Sequence, residues 1–323
     1  MFILNPKSFW HKWKQTQVLL KIYGFFTIFN KNNYDIHISR FPRDAAGFIP
    51  QYAKSLLNDT VLRVYAVGGD GIIFDCLNGI MGITNAELAV IPYGHTNNFI
   101  RGFGKNEKSF FRDIERQVNS PAVPIDVIRC GNNYALNYCT IGMEAEAVRY
   151  SEKTRDKMNK NSSLNQWLYR QFYSLHFFMG GLAAGFDRRQ LRQQYEIDID
   201  GKKYSDYYWT ISFFNGSYYG RTWHPANTAM PNDGILDIIF IHGKKFLQMY
   251  SLFPLYVSGR YTLLPRNVTM TQGQKISVRS EDMLKICMDG CLFYESELDI
   301  ELLPAGIRFV DASRSGYRGV SND

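Results

Sequence analysis

Two short loops in the first hundred residues carry residue types that bind phosphate. Gly68-Gly69-Asp70-Gly71 follows the branched run Val61–Val67 and precedes a helical pattern over Ile72–Ile80. Glycines at a strand end let the backbone approach a phosphate closely, and the next helix offers unpaired N–H groups with the positive end of its dipole. Asp70 could hold a magnesium-bound water or orient an attacking hydroxyl. Taken alone, the four residues also fit a tight turn with a solvated aspartate.

A second glycine-containing loop stands at the end of the next short strand. Leu88–Ile91 runs into Pro92–Asn97, whose letters are PYGHTN. Neither loop is an ordinary nucleotide motif. The chain has no GxxxxGK[ST], which excludes a Walker-type loop, and no GxGxxG after a strand, which excludes the dehydrogenase fingerprint.

The elements that must position these loops alternate between strand and helix. Phe2–Leu4 predicts a short buried strand, and Tyr34–Ser39 alternates like a second one. Ala45–Leu57 has helical spacing, with a start expected near Pro50. This succession predicts an α/β domain with a parallel sheet over residues 1–124, whose ligand-binding edge lies where strands end and helices begin. Both glycine loops fall on that edge.

The pattern changes near Pro121–Pro124. Several strand-like runs follow, separated by turn residues such as Asp200-Gly201 and Asp289-Gly290. They predict an all-β sandwich domain over residues 125–303, with a helical insertion near 145–182. The chain end, 304–323, is expected to pack back on the first domain.

The composition is that of an ordinary globular protein, with 45% hydrophobic and 21% charged residues. The 323 residues are more than one core usually fills, which favours two domains. A formal net charge of +7 suits an anionic partner such as nucleotide phosphate, an acidic membrane surface or nucleic acid, although charge alone names none of them. Five cysteines without scaffold spacing indicate reduced thiols in a cytoplasmic protein.

An ordered set of motifs spans almost the whole chain. Besides the two loops, it contains Asn5-Pro6-Lys7-Ser8, Asn78-Gly79, Ile125-Asp126, Asn137 with Gly142, Asn215-Gly216, Asp233-Gly234-Ile235-Leu236-Asp237 and Asp289-Gly290. Together they resemble the catalytic domain of bacterial diacylglycerol kinases, sphingosine kinases and their relatives. Any single motif would be a weak signal, whereas the ordered set is a strong one. The resemblance implies an ATP-dependent lipid kinase with a nucleotide-binding α/β domain and a β-sandwich domain.

The resemblance also implies contacts position by position. The first turn and the GGDG loop would hold the triphosphate, a hydroxyl residue before the second helix would touch the nucleotide, and the second loop would close over it. These positions are Asn5, Ser8, Ser39, Gly68, Gly69, Asp70, Gly71, Gly94, Thr96 and Asn97. A magnesium site is implied at the DGxLD turn, formed by the Asp233 carboxylate and the backbone carbonyls of Met230 and Ile235, and such oxygen ligands suit Mg²⁺.

Two carboxylates are candidates for the proton acceptor. Phosphoryl transfer depends mainly on positioning and charge neutralisation, and a carboxylate near the acceptor hydroxyl can take its proton. Asp70 and Asp289, one from each domain, are those candidates and predict a reaction cleft between the domains. The expected partners are a lipid substrate and a membrane surface met peripherally in the cytoplasm, without nucleic acid. A homodimer is left open.

Basic residues beside aromatic ones indicate where a membrane could be met. Arg149, Lys153 and Lys160 belong to a basic cluster that precedes the aromatic stretch Trp167–Phe178. This composition suits an anionic interface. A solvated helical face packed over a core explains the same residues nearly as well.

Departures from the family pattern keep other functions open. Relatives commonly have glutamate after the second Asp-Gly, where this chain has Cys291, and a thiol at its ordinary pKa is a poor base at pH 7. His95 replaces a hydroxyl residue and Asn98 replaces a carboxylate. These changes support, as an alternative, a nucleotide- or lipid-binding homologue without catalysis. An NAD kinase, which shares GGDG, is disfavoured because its further glycine-serine-threonine-alanine stretch is missing.

Overall fold

A computed structural model gives the fold of most of the chain. It describes residues 1–8, 12–29, 33–57, 60–94, 96–104, 107–159, 194–220, 223–242, 253–261, 267–313 and 316–319. His95 and the aromatic stretch 167–178 lie outside these residues, as does most of the region expected to form the helical insertion.

The first part of the chain forms a parallel sheet with helices on both faces. Its elements are β1 (Phe2–Leu4), α1 (Lys12–Ile28), β2 (Ile36–Ile38), α2 (Asp44–Ala53), β3 (Leu62–Gly68), α3 (Asp70–Ile80), β4 (Ala86–Pro92), α4 (Asn98–Arg101), α5 (Lys108–Phe111) and α6 (Ile114–Asn119). The strand order is β4-β3-β1-β2, with all three pairings parallel. The predicted α/β domain with a parallel sheet is confirmed. Burial of apolar side chains on both sheet faces holds α2 and α3 on one face and α1 and α6 on the other.

The start of α2 was expected near Pro50, and this expectation is wrong. The helix begins at Asp44 and contains Pro50 in its interior. A carboxylate fixes the earlier start: Asp75 on α3 accepts a hydrogen bond of 2.9 Å from the backbone N–H of Arg43. Arg43 precedes the helix with φ 68°, in the left-handed region that few residues other than glycine adopt. Tertiary contacts at the helix start therefore outweigh the local preference of proline for a first turn.

The second part of the chain is dominated by antiparallel strands. They are β5 (Ala122–Cys130), β6 (Asn133–Ala135), β7 (Tyr138–Gly142), β8 (Gln194–Ile199), β9 (Lys202–Phe214), β10 (Leu236–His242), β11 (Val268–Gly273), β12 (Lys275–Met288) and β13 (Cys291–Val310), with the helix α7 (Met143–Asn159) after β7. The long strands β9 and β12 each pair with β7 and with β8, so the strands curl around one apolar core. The sandwich expected from the sequence is confirmed.

One strand belongs to both parts of the molecule. The first half of β13 pairs with β12, and its last residues pair in parallel with β4 through Arg308 and Phe309. The register shifts between Leu303 and Ile307, where the strand passes from one domain to the other. Beyond β13, the Tyr317 hydroxyl accepts a hydrogen bond of 2.8 Å from the backbone N–H of Ser217. The chain end thus contacts both domains, while the boundaries at 124 and 303 stay predictions.

Candidate active site

The two glycine loops lie side by side at the carboxyl edge of the parallel sheet. Gly68 ends β3, and its carbonyl oxygen accepts hydrogen bonds from the N–H groups of Tyr93 and Gly94, at 2.8 and 2.7 Å. A Cβ at Gly94 would lie 2.1 Å from the Cα of Gly69, a distance that no side chain tolerates. Glycine is therefore required here by close approach of two backbones.

The first turn of the chain completes the same edge. Asn5 follows β1 and donates its backbone N–H to Val67 at 3.2 Å, and a Cβ at Gly68 would lie 2.6 Å from Ser8 Oγ. Ser39 follows β2 and donates its backbone N–H to the carbonyl of Leu4 at 2.8 Å. All ten residues expected to touch a nucleotide thus lie at the ends of β1–β4, in the loops that follow them or in the first turn of α3. Whether they bind a nucleotide stays a prediction.

Asp70 holds the second loop against the first. Its half-buried carboxylate accepts hydrogen bonds from Thr96 Oγ1 and from the backbone N–H groups of Asn97 and Asn98, the latter two at 3.0 and 2.8 Å. Burial raises the pKa of Asp70, and these hydrogen bonds oppose the shift. Both oxygens of Asp70 therefore accept hydrogen bonds from the second loop, and the carboxylate fixes the geometry of that loop.

Asp289 enters the site from the sandwich domain. It stands at the turn between β12 and β13 with φ 47°, followed by Gly290 with φ 87°, as in a two-residue hairpin turn. Its carboxylate accepts hydrogen bonds from the backbone N–H groups of Leu136, Asn137 and Tyr138, at 2.7, 3.1 and 3.0 Å.

The ionisation of Asp289 is tuned by its surroundings. Burial raises the pKa of Asp289 to about 7, the amide hydrogen bonds oppose this rise, and the negative charge of Asp70 adds to it. The charge of Asp70 thus reaches Asp289, so the two carboxylates nominated from the sequence lie within electrostatic range of each other. Such a carboxyl is half ionised near neutral pH, where it can both accept and release a proton.

Comparisons with known proteins agree on the family. Residues 1–130 match the model described as "Diacylglycerol kinase catalytic domain", and residues 159–311 match "YegS C-terminal NAD kinase beta sandwich-like domain". The chain belongs to the diacylglycerol kinase catalytic-domain family. Two Staphylococcus aureus proteins named "Putative lipid kinase", from strains Mu3 and Newman, are each 24% identical over 282 residues, covering 85% of this chain and 86% of theirs.

Solved structures share the fold of this diacylglycerol kinase family member. A structure titled "The crystal structure of a diacylglycerol kinases from Bacillus anthracis str. Sterne" superposes with a TM-score of 0.69 and 19% identity, covering 96% of this chain and 95% of that one. A second, titled as a "putative diacylglycerol kinase" from the same strain, gives the same values. At this identity the likeness establishes the two-domain architecture alone.

Sequence reasoning missed two residues at the junction of the two domains of this family member. Asp75, one buried carboxylate in the apolar helix α3, fixes the backbone of Arg43 as described above. The Arg43 guanidinium lies 4.8 Å from the ring centre of Phe74 and 5.5 Å from that of Phe293, and it donates a hydrogen bond to Asn133. Arg43 thus links the two domains. The signal that could have identified Asp75 is an acidic residue within a helical segment whose other residues are mostly apolar.

Cys291 stands next to these groups as a neutral thiol. Burial raises its pKa well above the ordinary value, and the nearby Cys287 and Asp75 raise it further. The departure noted in the sequence is therefore a real loss of a potential base at this position, because a protonated thiol accepts protons poorly.

The turn expected to bind magnesium has two further carboxylates, Asp126 and Asp237, within electrostatic range of Asp233. Asp233 is exposed and accepts the N–H of Ile235 at 3.2 Å, while Asp126 accepts the N–H of Gly234 at 2.8 Å. Partial desolvation of its carboxyl group raises the pKa of Asp233, the charges of Asp237 and Asp126 raise it further, and the hydrogen bond from Ile235 opposes the rise. Within the described ranges, no cluster of three or more His, Cys, Asp or Glu side chains is arranged to hold a metal. A site of one carboxylate and two carbonyls is outside that criterion and stays a prediction.

Proposed function

We propose that the chain is an ATP-dependent lipid kinase that transfers the γ-phosphoryl group to the hydroxyl of diacylglycerol or a related lipid in the cytoplasm. One observation carries the proposal: two glycine loops meet backbone to backbone at the carboxyl ends of β3 and β4, and Asp70 joins them within electrostatic range of Asp289 from the other domain. Membership of the diacylglycerol kinase family supports the reaction type.

The loops fit a triphosphate. The first turn of α3 offers N–H groups without intrahelical acceptors and the positive end of a helix dipole. A side chain at Gly71 would meet no atom within 4 Å, so this backbone borders open space that a phosphate can fill. Among the residues that the structure describes, none donates a hydrogen bond to the buried Asn97 Oδ1, which leaves an acceptor for a hydroxyl or amino group of the nucleotide.

The transfer needs one proton acceptor. The lipid hydroxyl oxygen forms a bond to the γ-phosphorus while the bond from that phosphorus to the leaving oxygen of ADP breaks. The hydroxyl proton passes to the Asp289 carboxylate, whose pKa of about 7 suits a base that must later release the proton to solvent. Asp70 keeps Thr96 and Asn97 in place over the nucleotide.

The DGxLD turn fits a magnesium ion. Carboxylate and carbonyl oxygens in a negatively charged turn are the ligands this ion prefers. Asp233 would supply the carboxylate, and Met230 and Ile235 the carbonyls. When bound, the ion neutralises negative charge at the turn and reduces its repulsion of an anionic substrate.

A radiolabel assay tests the proposal. Purified protein is incubated with γ-labelled ATP, magnesium and a panel of lipid alcohols that includes diacylglycerol, and lipid products are separated by thin-layer chromatography. We expect a labelled lipid from at least one acceptor and none from the Asp70→Asn variant. The absence of any labelled lipid, with an active relative as positive control, would refute the kinase activity.

The neutral thiol of Cys291 favours a second candidate. A chain without the expected glutamate could bind nucleotide and lipid without turning them over. Tight ATP binding by calorimetry together with no turnover on any lipid would select this candidate. Turnover that disappears in Asp70→Asn would dismiss it.

A further inference from the structure

The outer face of α1 exposes large apolar side chains to solvent. Trp13, Leu20 and Ile28 are 53%, 63% and 79% exposed. At 100° per residue these three positions fall within about 80° of one another, so they form one stripe along the helix. We call this stripe the α1 outer face.

Folding does not require this face to be apolar. The opposite side of α1 already packs on the sheet through Val18, Ile22 and Phe26, all of which are buried. A surface helix normally pairs one apolar side with a polar one. A second apolar side at high exposure therefore indicates a partner that covers it.

The charge around the α1 outer face identifies the chemistry of that partner. Lys14 and Lys21 are exposed and lie along one edge of the stripe, and Lys14 Nζ sits 5.7 Å from the Trp13 ring centre. The first acidic residue of the entire sequence is Asp35, so the 34 residues before it carry lysines without any carboxylate side chain. The partner must therefore combine an apolar interior with negative surface charge.

An anionic lipid surface meets both requirements. Aliphatic side chains enter the acyl boundary, tryptophan sits at the headgroup level, and lysines pair with anionic headgroups. A second copy of the chain fits less well, because a symmetric contact would place the same lysine-flanked stripe against itself. No helix of the described residues is long and apolar enough to cross a membrane, so contact by α1 would be lateral.

We propose that the α1 outer face docks the protein on anionic membranes. The helix begins at Lys12, four residues after Ser8, whose side chain lies against Gly68 of the phosphate loop. When α1 docks, the first turn of the helix and the neighbouring phosphate loop lie next to the surface in which a lipid acceptor resides. The purpose of docking rests on the proposed kinase function, whereas the docking itself does not.

Vesicle co-sedimentation of the full chain tests the proposal. We expect binding to vesicles of phosphatidylcholine mixed with phosphatidylglycerol, weaker binding to phosphatidylcholine alone, and a decline with added salt. The double variant Leu20→Glu with Ile28→Glu should reduce partitioning by at least about tenfold, because it removes apolar area and adds repulsion. Met283→Glu changes an apolar side chain of similar exposure, 56%, on the sandwich domain and should leave partitioning within about twofold.

A second variant, which changes only charge, keeps the test informative if the double variant does not fold. Lys14→Gln with Lys21→Gln should keep the melting temperature and lose the preference for anionic vesicles. The proposal would be overturned if wild-type protein did not bind anionic vesicles better than neutral ones. It would also be overturned if the double variant were folded and bound vesicles as well as wild type. Analytical ultracentrifugation without lipid provides a further test. A wild-type dimer that becomes a monomer in the double variant would also overturn the proposal, because the α1 outer face would then contact a second copy of the chain. Vesicle binding with no lipid phosphorylation would leave docking intact and refute only the kinase.

Discussion

Asp289 is the residue whose surroundings decide when the site can accept a proton. It receives three backbone N–H groups, which favour the ionised carboxylate, yet burial and the charge of Asp70 raise its pKa to about 7. Burial therefore has a larger effect on the pKa of Asp289 than the three amide hydrogen bonds. A carboxyl with an ordinary pKa would be fully ionised throughout the physiological range.

The pH dependence of turnover should report this group. Because the base must be ionised, kcat/KM should rise with pH through an acid limb centred near 7. Asp289→Asn should abolish that limb and lower kcat by about a hundredfold or more. Steady-state rates from pH 5.5 to 9 measure both, and a wild-type profile that is flat across about pH 6 to 8 would contradict the role of Asp289.

Stability should change with pH in the opposite direction. The folded-state pKa of Asp289 lies above the ordinary value of 3.8, so between the two values the folded chain binds a proton that the unfolded chain has lost. The contribution of Asp289 to the free energy of unfolding therefore declines as pH rises from about 4 through about 7. Asp289→Asn should flatten this decline in urea titrations. An unchanged slope would mean that the carboxyl is ionised in the folded protein at low pH.

Cys291 should be dispensable for proton transfer. Its thiol is neutral at pH 7, so Cys291→Ser should keep kcat within about threefold of wild type. Cys291→Glu introduces the glutamate that is expected at this position from the family resemblance. This variant should turn over at least as fast as wild type. Single-turnover rates measure both variants. A large loss of kcat in Cys291→Ser with an unchanged melting temperature would show that the thiol takes part in catalysis.

At the scale of elements, the two glycine loops depend on contacts of different kinds. Gly94 lies against the backbone of Gly69, whereas Gly71 borders open space. Gly94 is therefore required for the fold, whereas Gly71 would be required only for binding a ligand in that space.

A pair of alanine substitutions separates these requirements. Gly94→Ala should lower the free energy of unfolding by roughly 2 kcal/mol or more, because the new Cβ meets backbone. Gly71→Ala should leave stability nearly unchanged and weaken ATP binding by at least about tenfold. Gly47→Ala, a helical glycine with open space around it, is the control and should stabilise slightly. Full ATP affinity in Gly71→Ala would remove the GGDG loop from the nucleotide site.

The sequence predicted these elements where local patterns are strong. Strands β1 and β3, the helix after GGDG and both loops were recognised because buried strands and glycine turns have short-range signatures. The β12 and β13 pair is predicted only as the shorter runs Lys275–Arg279, Lys285–Met288 and Leu298–Leu302, since register shifts interrupt the alternation within each long strand. Contacts of Asp289 with Leu136 and of Asp75 with Arg43 were out of reach, because they join distant positions through tertiary structure.

At the scale of the whole molecule, Arg43 and β13 connect the two domains. The guanidinium of Arg43 reaches from the α2 start to Phe293 and Asn133 on the sandwich side. The backbone of Arg43 is strained with φ 68°, and such strain persists only where surrounding contacts hold it.

Replacing Arg43 should separate stability from activity. Arg43→Gly removes the side chain and relieves the backbone strain, so the free energy of unfolding should stay within about 1 kcal/mol of wild type. Turnover should fall by about tenfold or more because the two walls of the cleft lose their cationic link. Urea denaturation and kcat/KM provide the two readouts, with Arg40→Gly as the matched control. Full activity in Arg43→Gly would show that the link plays no part in catalysis.

We propose that backbone amides at the ends of β3 and β4 bind a nucleoside triphosphate. Isothermal titration of magnesium ATP into the purified full chain tests it most directly. We predict saturable binding of one equivalent with a dissociation constant below about 1 mM, the range of most enzyme substrates. A folded sample that releases no heat with ATP or any other purine triphosphate would contradict the claim, leaving a shared fold without the shared activity.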